Sequence, residues 1–255
     1  MTPEPFPWPQ GQRCAVSLTY DDGLPVHYEV VAPLLEDAGL RATFYVMGTV
    51  ARHAPERWRA LAAAGHELGS HSLFHPCRRE PPENYAWLPP YYDLCDYTPE
   101  RWGAELDVAN LVLHLIDGKT ERTFGNTCCN TTIGRGAAEI SMDALLRERY
   151  VAARGPMNYR VAMPQTGINL MQVGHFQGDG RSFADIRAEI QRARDLGGWI
   201  VWMTHGVGAE THHLSMDPAE HEHLIRWLGA NQTTIWTAPL VDVAKYVRQT
   251  TAEHP

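Results

Sequence analysis

At 255 residues the chain is long enough for one barrel-sized domain or for two small ones. Its 44% hydrophobic and 20% charged residues exclude wholesale disorder, and a net charge of −8 makes nucleic acid a poor partner, because phosphate binding needs clustered positive charge. Histidine is the unusual count, 13 in the chain, and it is the side chain that both ligates metals and exchanges protons near neutrality.

Met1–Gln12 is rich in proline and has no apolar run, so it reads as neither a signal peptide nor a membrane span. The default expectation is a cytoplasmic protein, or an extracellular one whose leader has been lost. Arg13–Tyr20 predicts a strand running into a loop at Asp21-Asp22-Gly23. Tyr28–Ala38 predicts a helix stopped by Gly39, Ala42–Met47 a short buried strand, and Pro55–Ala64 a helix closed by Gly65. His66–Ser70 is a further strand. The Pro- and Tyr-rich stretch 76–97 is too long for a routine connection and reads as a functional loop insertion.

Thr98-Pro99 opens a long helix whose apolar face is Trp102, Leu106, Ala109, Leu113 and Ile116. A second amphipathic helix runs from Ser182 to Gly197-Gly198. Trp199–Thr204 is a continuous apolar strand ending at His205, as expected of a parallel strand covered on both faces. Asp217-Pro218-x-Glu220 caps another helix, and Thr234-Ile235-Trp236 with Leu240–Val247 supplies a last strand and helix. This alternation, with no linker and no repeat, predicts a single α/β domain over 1–255, a distorted (β/α) barrel of about seven strands. The five cysteines form no C-x-x-C pair. A Cys77–Cys95 disulfide is compatible with the sequence, but free thiols are the default expectation.

In such barrels chemistry gathers at the C-terminal ends of the strands, and the polar clusters fall there. Neighbouring residues at a strand end point in opposite directions, so Asp21 and Asp22 are suited to different jobs, one on a cation and one on its water. His71 and His75, four apart, can reach one ion, and with a carboxylate they make a three-ligand set that leaves room for water. His205, before Gly206-Val207-Gly208, places an imidazole at the pocket rim, where it suits a general acid. Tyr85, Trp87, Tyr91, Tyr92 and Tyr97 of the insertion offer stacking surfaces or simple loop packing. His212 and His213 fall where they can line the pocket, whereas His221 and His223 read as members of a solvated helix.

These segments resemble the polysaccharide deacetylases, carbohydrate esterase family 4. The T-[FY]-D-D-G motif stands as Thr19–Gly23, the H-[ST]-x-x-H motif as His71–His75, and the apolar strand ending in His as Ile200–His205. The resemblance implies hydrolytic removal of acetyl groups from an oligo- or polysaccharide, with no nucleic acid or membrane partner. Asp22, His71 and His75 would then hold a divalent metal, most simply Zn²⁺, with Asp21 as general base and His205 as general acid. The family's R-x-P-[YF] motif is absent from Thr123–Cys129, and its Asp that tunes the acidic His is not recognisable. The Cys128 backbone amide would supply the oxyanion donor, and Arg154 the missing guanidinium. Two alternatives stay open: a hydrolase of small amides or cyclic ureides on the same scaffold, and an inactive sugar-binding protein.

Overall fold

Cys14–Tyr20 forms the first strand, β1, and is buried along its whole length, as its run of apolar and β-favouring residues requires. Around it stand β2 (Thr43–Val46), β3 (Glu67–Ser70), β4 (Phe124–Gly125), β5 (Ala153–Met157), β6 (Val173–Gln177) and β7 (Trp199–Thr204). The computed structural model describes residues 5–253. Each strand pairs in parallel with the next, and β7 returns to β1 in a six-residue register from Ala15↔Trp199 to Tyr20↔Thr204. The seven strands therefore close.

The distortion lies in β1. An eighth strand, β8 (Ile235–Thr237), pairs with Cys14–Val16, while β2 pairs only with Thr19 and Tyr20. The strand thus changes partner halfway along, and the barrel is splayed at its N-terminal end. That end is tied by a buried carboxylate: Glu67 accepts from Thr43 Oγ1 (2.7 Å), from Thr123 N (2.6 Å) and Oγ1 (2.7 Å), and from Val241 N (3.1 Å).

The covering helices follow their capping chemistry. Pro99–Asp117 starts at the Thr98 hydroxyl, which accepts from Arg101 N, and stops at Gly118 with φ 72°. Phe183–Leu196 is capped by Ser182 and stopped by Gly197 with φ 68°, and Asp217 caps Pro218–Ala230. The predicted first helix is bipartite: a π-turn at His27–Val31 runs into Ala32–Asp37. The insertion contains three short 3₁₀ turns, Pro82–Tyr85, Pro90–Tyr92 and Leu94–Asp96, and is held through Leu94, whose N–H donates to Cys77 O and whose carbonyl accepts from Gly134 N. Among the described residues no helix is long and apolar enough to cross a membrane.

Trp58, 1% exposed, anchors the packing of helix Pro55–Ala63, its ring edge-on to Tyr28 at 5.0 Å. Trp58→Ala leaves a large cavity there, and urea unfolding should show a loss of about 3–5 kcal/mol with an unchanged denaturant slope.

Candidate active site

Asp21 continues the β1 ladder, its N–H donating to Thr204 O at 3.0 Å, and Asp22 then turns away with φ 74°. Asp tolerates this left-handed conformation better than most residues. Gly23 follows at φ 66°, where a Cβ would lie 2.8 Å from Val46 Cγ1. The two carboxylates consequently serve different partners. Asp21 is gripped by Arg154 in a bidentate pair, Nη1–Oδ1 2.7 Å and Nη2–Oδ2 2.6 Å, and Arg154 Nη1 also donates to Thr19 Oγ1 at 2.8 Å. Both side chains are buried.

Room for that guanidinium is made by Tyr45. Its ring passes β3 and β4 at Gly69 and Gly125, where any Cβ would come within 2.5 and 2.7 Å of ring carbons. The Arg154 Cζ lies 4.9 Å from the Tyr45 ring centroid, a cation–π contact. Burial by itself would raise the Asp21 pKa, but Arg154, helped by His71 and His205, outweighs it and holds the carboxyl well below the usual carboxylate range.

His71 follows β3, its N–H donating to Val46 O at 3.2 Å. Ser72 and His75 both take positive φ, 62° and 57°, and the Ser72 hydroxyl accepts from His75 N at 2.9 Å, closing a tight loop that brings both imidazoles to one point. His71 Nδ1–H donates to Gly125 O at 2.7 Å, which leaves Nε2 with its lone pair free for a ligand. His71 Nε2 and His75 Nε2 each stand 3.5 Å from Asp22 Oδ1. Three donors about 2.1 Å from one tetrahedral ion are separated by about 3.4 Å, so the spacing fits a metal. Asp22 Oδ1 is buried without a hydrogen-bond partner, and burial together with the neighbouring His71 pushes the His75 pKa down to about 4, keeping it neutral. A carboxylate oxygen and two imidazole nitrogens are the donor set of a catalytic zinc site with an open position.

His205 leaves β7 toward a carboxylate for which the sequence offers no motif, Asp179. Its Nδ1–H donates to Asp179 Oδ2 at 2.6 Å, and its backbone N–H donates to Asp179 Oδ1 at 2.9 Å. Burial lowers the His205 pKa, but this hydrogen bond and the charges of Asp21 and Asp179 outweigh it, and the net shift is upward. From behind, the buried His27 Nε2–H donates to the His205 carbonyl at 2.8 Å. Asp179 stands in Gly178-Asp179-Gly180, just past β6. The only available signal was that Gly-Asp-Gly turn, because Val-Gly-His-Phe-Gln is too short and mixed to mark β6 as a strand.

These groups open onto one cavity of about 920 Å³, whose lining includes Trp87, Tyr92, Cys128, His212 and His213. His212 stacks on His205 with ring centroids 5.3 Å apart, and its Nε2 lies 4.0 Å from Asp22 Oδ2. Tyr91 does not join them: it is 64% exposed and outside the lining. Tyr97 is a packing residue, buried and donating to Glu105 Oε2 at 2.9 Å. Two expectations are corrected. Cys77 is bonded to Cys128, not to Cys95, and of the five cysteines only Cys14, Cys95 and Cys129 are free, since the fold brings the 71–77 loop against the turn after β4. His221 is buried and hydrogen-bonded to the Tyr20 hydroxyl at 2.8 Å, because its side of the helix packs against β1; His223 is exposed.

Comparison with known proteins bears on the family and the fold. The family model for polysaccharide deacetylase matches residues 10–127. The chain is 22% identical over 272 aligned positions to a gellan lyase of a Bacillus species, covering 97% of this chain and 10% of that protein. Over 63 positions it is 40% identical to a chitooligosaccharide deacetylase of Sinorhizobium fredii, covering 24% of this chain and 29% of that protein. The chain thus spans less than a third of either relative. Among solved structures it superimposes on a putative polysaccharide deacetylase from Mycobacterium smegmatis with a TM-score of 0.65 at 17% identity, covering 98% of this chain and 96% of the other. That likeness carries the fold.

Arg154→Met leaves the Asp21 carboxylate buried without a counter-charge. Denaturant unfolding at neutral pH should show a loss of about 3–5 kcal/mol. Because the folded-state pKa of Asp21 lies below its ordinary value, the stability contributed by the pair is present above the carboxylate range and lost as pH falls. The gap between variant and wild type should therefore narrow in acid.

Proposed function

We propose that this chain, whose residues 10–127 match the polysaccharide deacetylase family model, hydrolyses acetyl groups from a carbohydrate, an N-acetylated or O-acetylated oligo- or polysaccharide, with a divalent metal, most simply zinc. One observation carries the reading. A buried carboxylate paired with arginine, a two-histidine-one-carboxylate cluster and a carboxylate-backed imidazole all face a single cavity.

In this mechanism Asp22, His71 and His75 would hold the metal. Such an ion supplies Lewis acidity, polarising an acyl carbonyl and making water acidic enough to ionise near neutral pH. Asp21, fixed by Arg154 and ionised throughout the neutral range, takes the proton from the attacking water. Cys128 lines the cavity, and its backbone N–H is the donor assigned to the developing oxyanion, an interaction worth about 3–4 kcal/mol per donor. His205, held as Nδ1–H by Asp179, presents a protonated Nε2 to the departing amine or alkoxide. Trp87, Tyr92, His212 and His213 contact the sugar at the mouth.

The test is acetate release from acetylated xylan and from N-acetylglucosamine oligomers. Zinc-loaded protein should release acetate from one of these, lose the activity on chelation and regain it at one ion per chain. Asp21→Asn should retain the metal and lose nearly all turnover; unchanged turnover would remove Asp21 from the role of base.

The acid step has its own signature. His205 is active when protonated, and Asp179 raises its pKa, so Asp179→Asn should shift the alkaline limb of the kcat profile to lower pH. An unmoved limb would assign that limb to another group. His205→Ala should harm N-acetyl more than O-acetyl substrates, because an amine anion is the worse leaving group.

A further inference from the structure

We propose that the Cys77–Cys128 disulfide masks a second metal site, formed by His75, Cys77 and Cys128, which reduction opens at the expense of the Asp22–His71–His75 cluster. The two sites share one imidazole. His75 Nε2 faces Asp22 Oδ1 at 3.5 Å, while its Nδ1 faces Cys77 Sγ at 3.6 Å. The two sulfurs are bonded to each other, and a ring nitrogen of His75 lies within 4.8 Å of both, so the thiolates that reduction releases lie within reach of one ion together with His75. In the disulfide the sulfurs carry no thiolate charge, and the Nδ1–H directed at Cys77 leaves the Nε2 lone pair for the first cluster.

Reduction reverses this preference. Cys77 is fully buried while Cys128 is part-exposed and lines the cavity, so a small dithiol approaches the bond from the Cys128 side. The reductant's thiolate attacks Cys128 Sγ and expels Cys77 as a thiolate. The reductant's second thiol then attacks the mixed disulfide, closes the reductant's own disulfide and releases Cys128 as a thiolate. Two electrons pass from the dithiol to the protein, and the dithiol's two protons go to solvent. Two thiolates with one imidazole form a softer, more highly charged donor set than one carboxylate with two imidazoles, and zinc and cobalt favour it. A neutral imidazole has one lone pair. Ligation through Nδ1 places the proton on Nε2, and the first cluster loses a ligand.

The test uses the whole protein loaded with one equivalent of cobalt(II), whose thiolate complexes absorb strongly by charge transfer while its oxygen and nitrogen complexes do not. Oxidised protein should lack that absorption. After anaerobic reduction with a dithiol, removal of the reductant and a rise in denatured thiol count from three to five, it should appear. It should persist in Cys129→Ser and be absent from the double variant Cys77→Ser/Cys128→Ser. Acetate release should fall at least tenfold on reduction and return on reoxidation. Fully reduced protein without charge-transfer absorption, absorption that survives in the double variant, or absorption with undiminished acetate release would each overturn the proposal. The spectral result needs no turnover, so an oxidised protein that releases no acetate counts against the proposed function alone.

Discussion

The buried pair of Asp21 and Arg154 is the constraint on which the rest of the site depends. Taking two charges out of water costs several kcal/mol for each ion, and attraction repays that only when geometry is good and the remaining donors and acceptors are satisfied. Here the contact is bidentate, Thr19 accepts a further guanidinium hydrogen, and the Tyr45 ring lies beside the cation. The groups involved come from three strands: Thr19 and Asp21 from β1 and its exit, Tyr45 from β2 and Arg154 from β5. The charge pair therefore holds the open ends of three strands in one arrangement, and Gly69 and Gly125 give up their side chains to let Tyr45 pass.

Around this fixed point the other parts are placed by backbone rather than by long side chains. The turn at Asp22 swings its carboxylate from the Arg154 pocket to the histidine cluster, and positive φ at Ser72 and His75 folds the histidines into a single point. Backbone in these sparsely populated regions persists only where surrounding contacts over-determine it, as it does here through the Ser72 hydroxyl, the His71–Gly125 hydrogen bond and the tether from Cys77 to Cys128. The tether also joins the loop bearing the metal-type histidines to the turn bearing the proposed oxyanion amide. The same covalent link thus bears on two parts of the proposed chemistry.

What could be read from the sequence follows the distance over which each feature is encoded. Thr19–Gly23 and His71–His75 are legible because a strand exit and a single tight loop carry all their functional groups within a few residues. The barrel was legible because β1 is a run of apolar and β-favouring residues, β7 is a continuous apolar run, and the helices carry strong caps. Arg154 could be named only by looking for a cation to replace a missing one, since nothing local marks it. Asp179 could not be named, because a glycine-flanked aspartate after a weakly patterned strand looks like any turn. The disulfide lay further out of reach: Cys95 is nearer to Cys77 in sequence, and only the packing of the turn after β4 decides for Cys128. His221 looked solvated because a helix full of histidine and glutamate conceals which side meets β1.

The central claim is that a guanidinium borne by β5 orients the Asp21 carboxylate for catalysis. The most direct measurement is the acetate-release kcat of Arg154→Met, compared with wild type at equal zinc content and at a temperature where both are folded. The account predicts a fall of about 100-fold or more with zinc binding retained, as expected when a reacting group loses its fixed orientation. A variant that keeps wild-type kcat would contradict it.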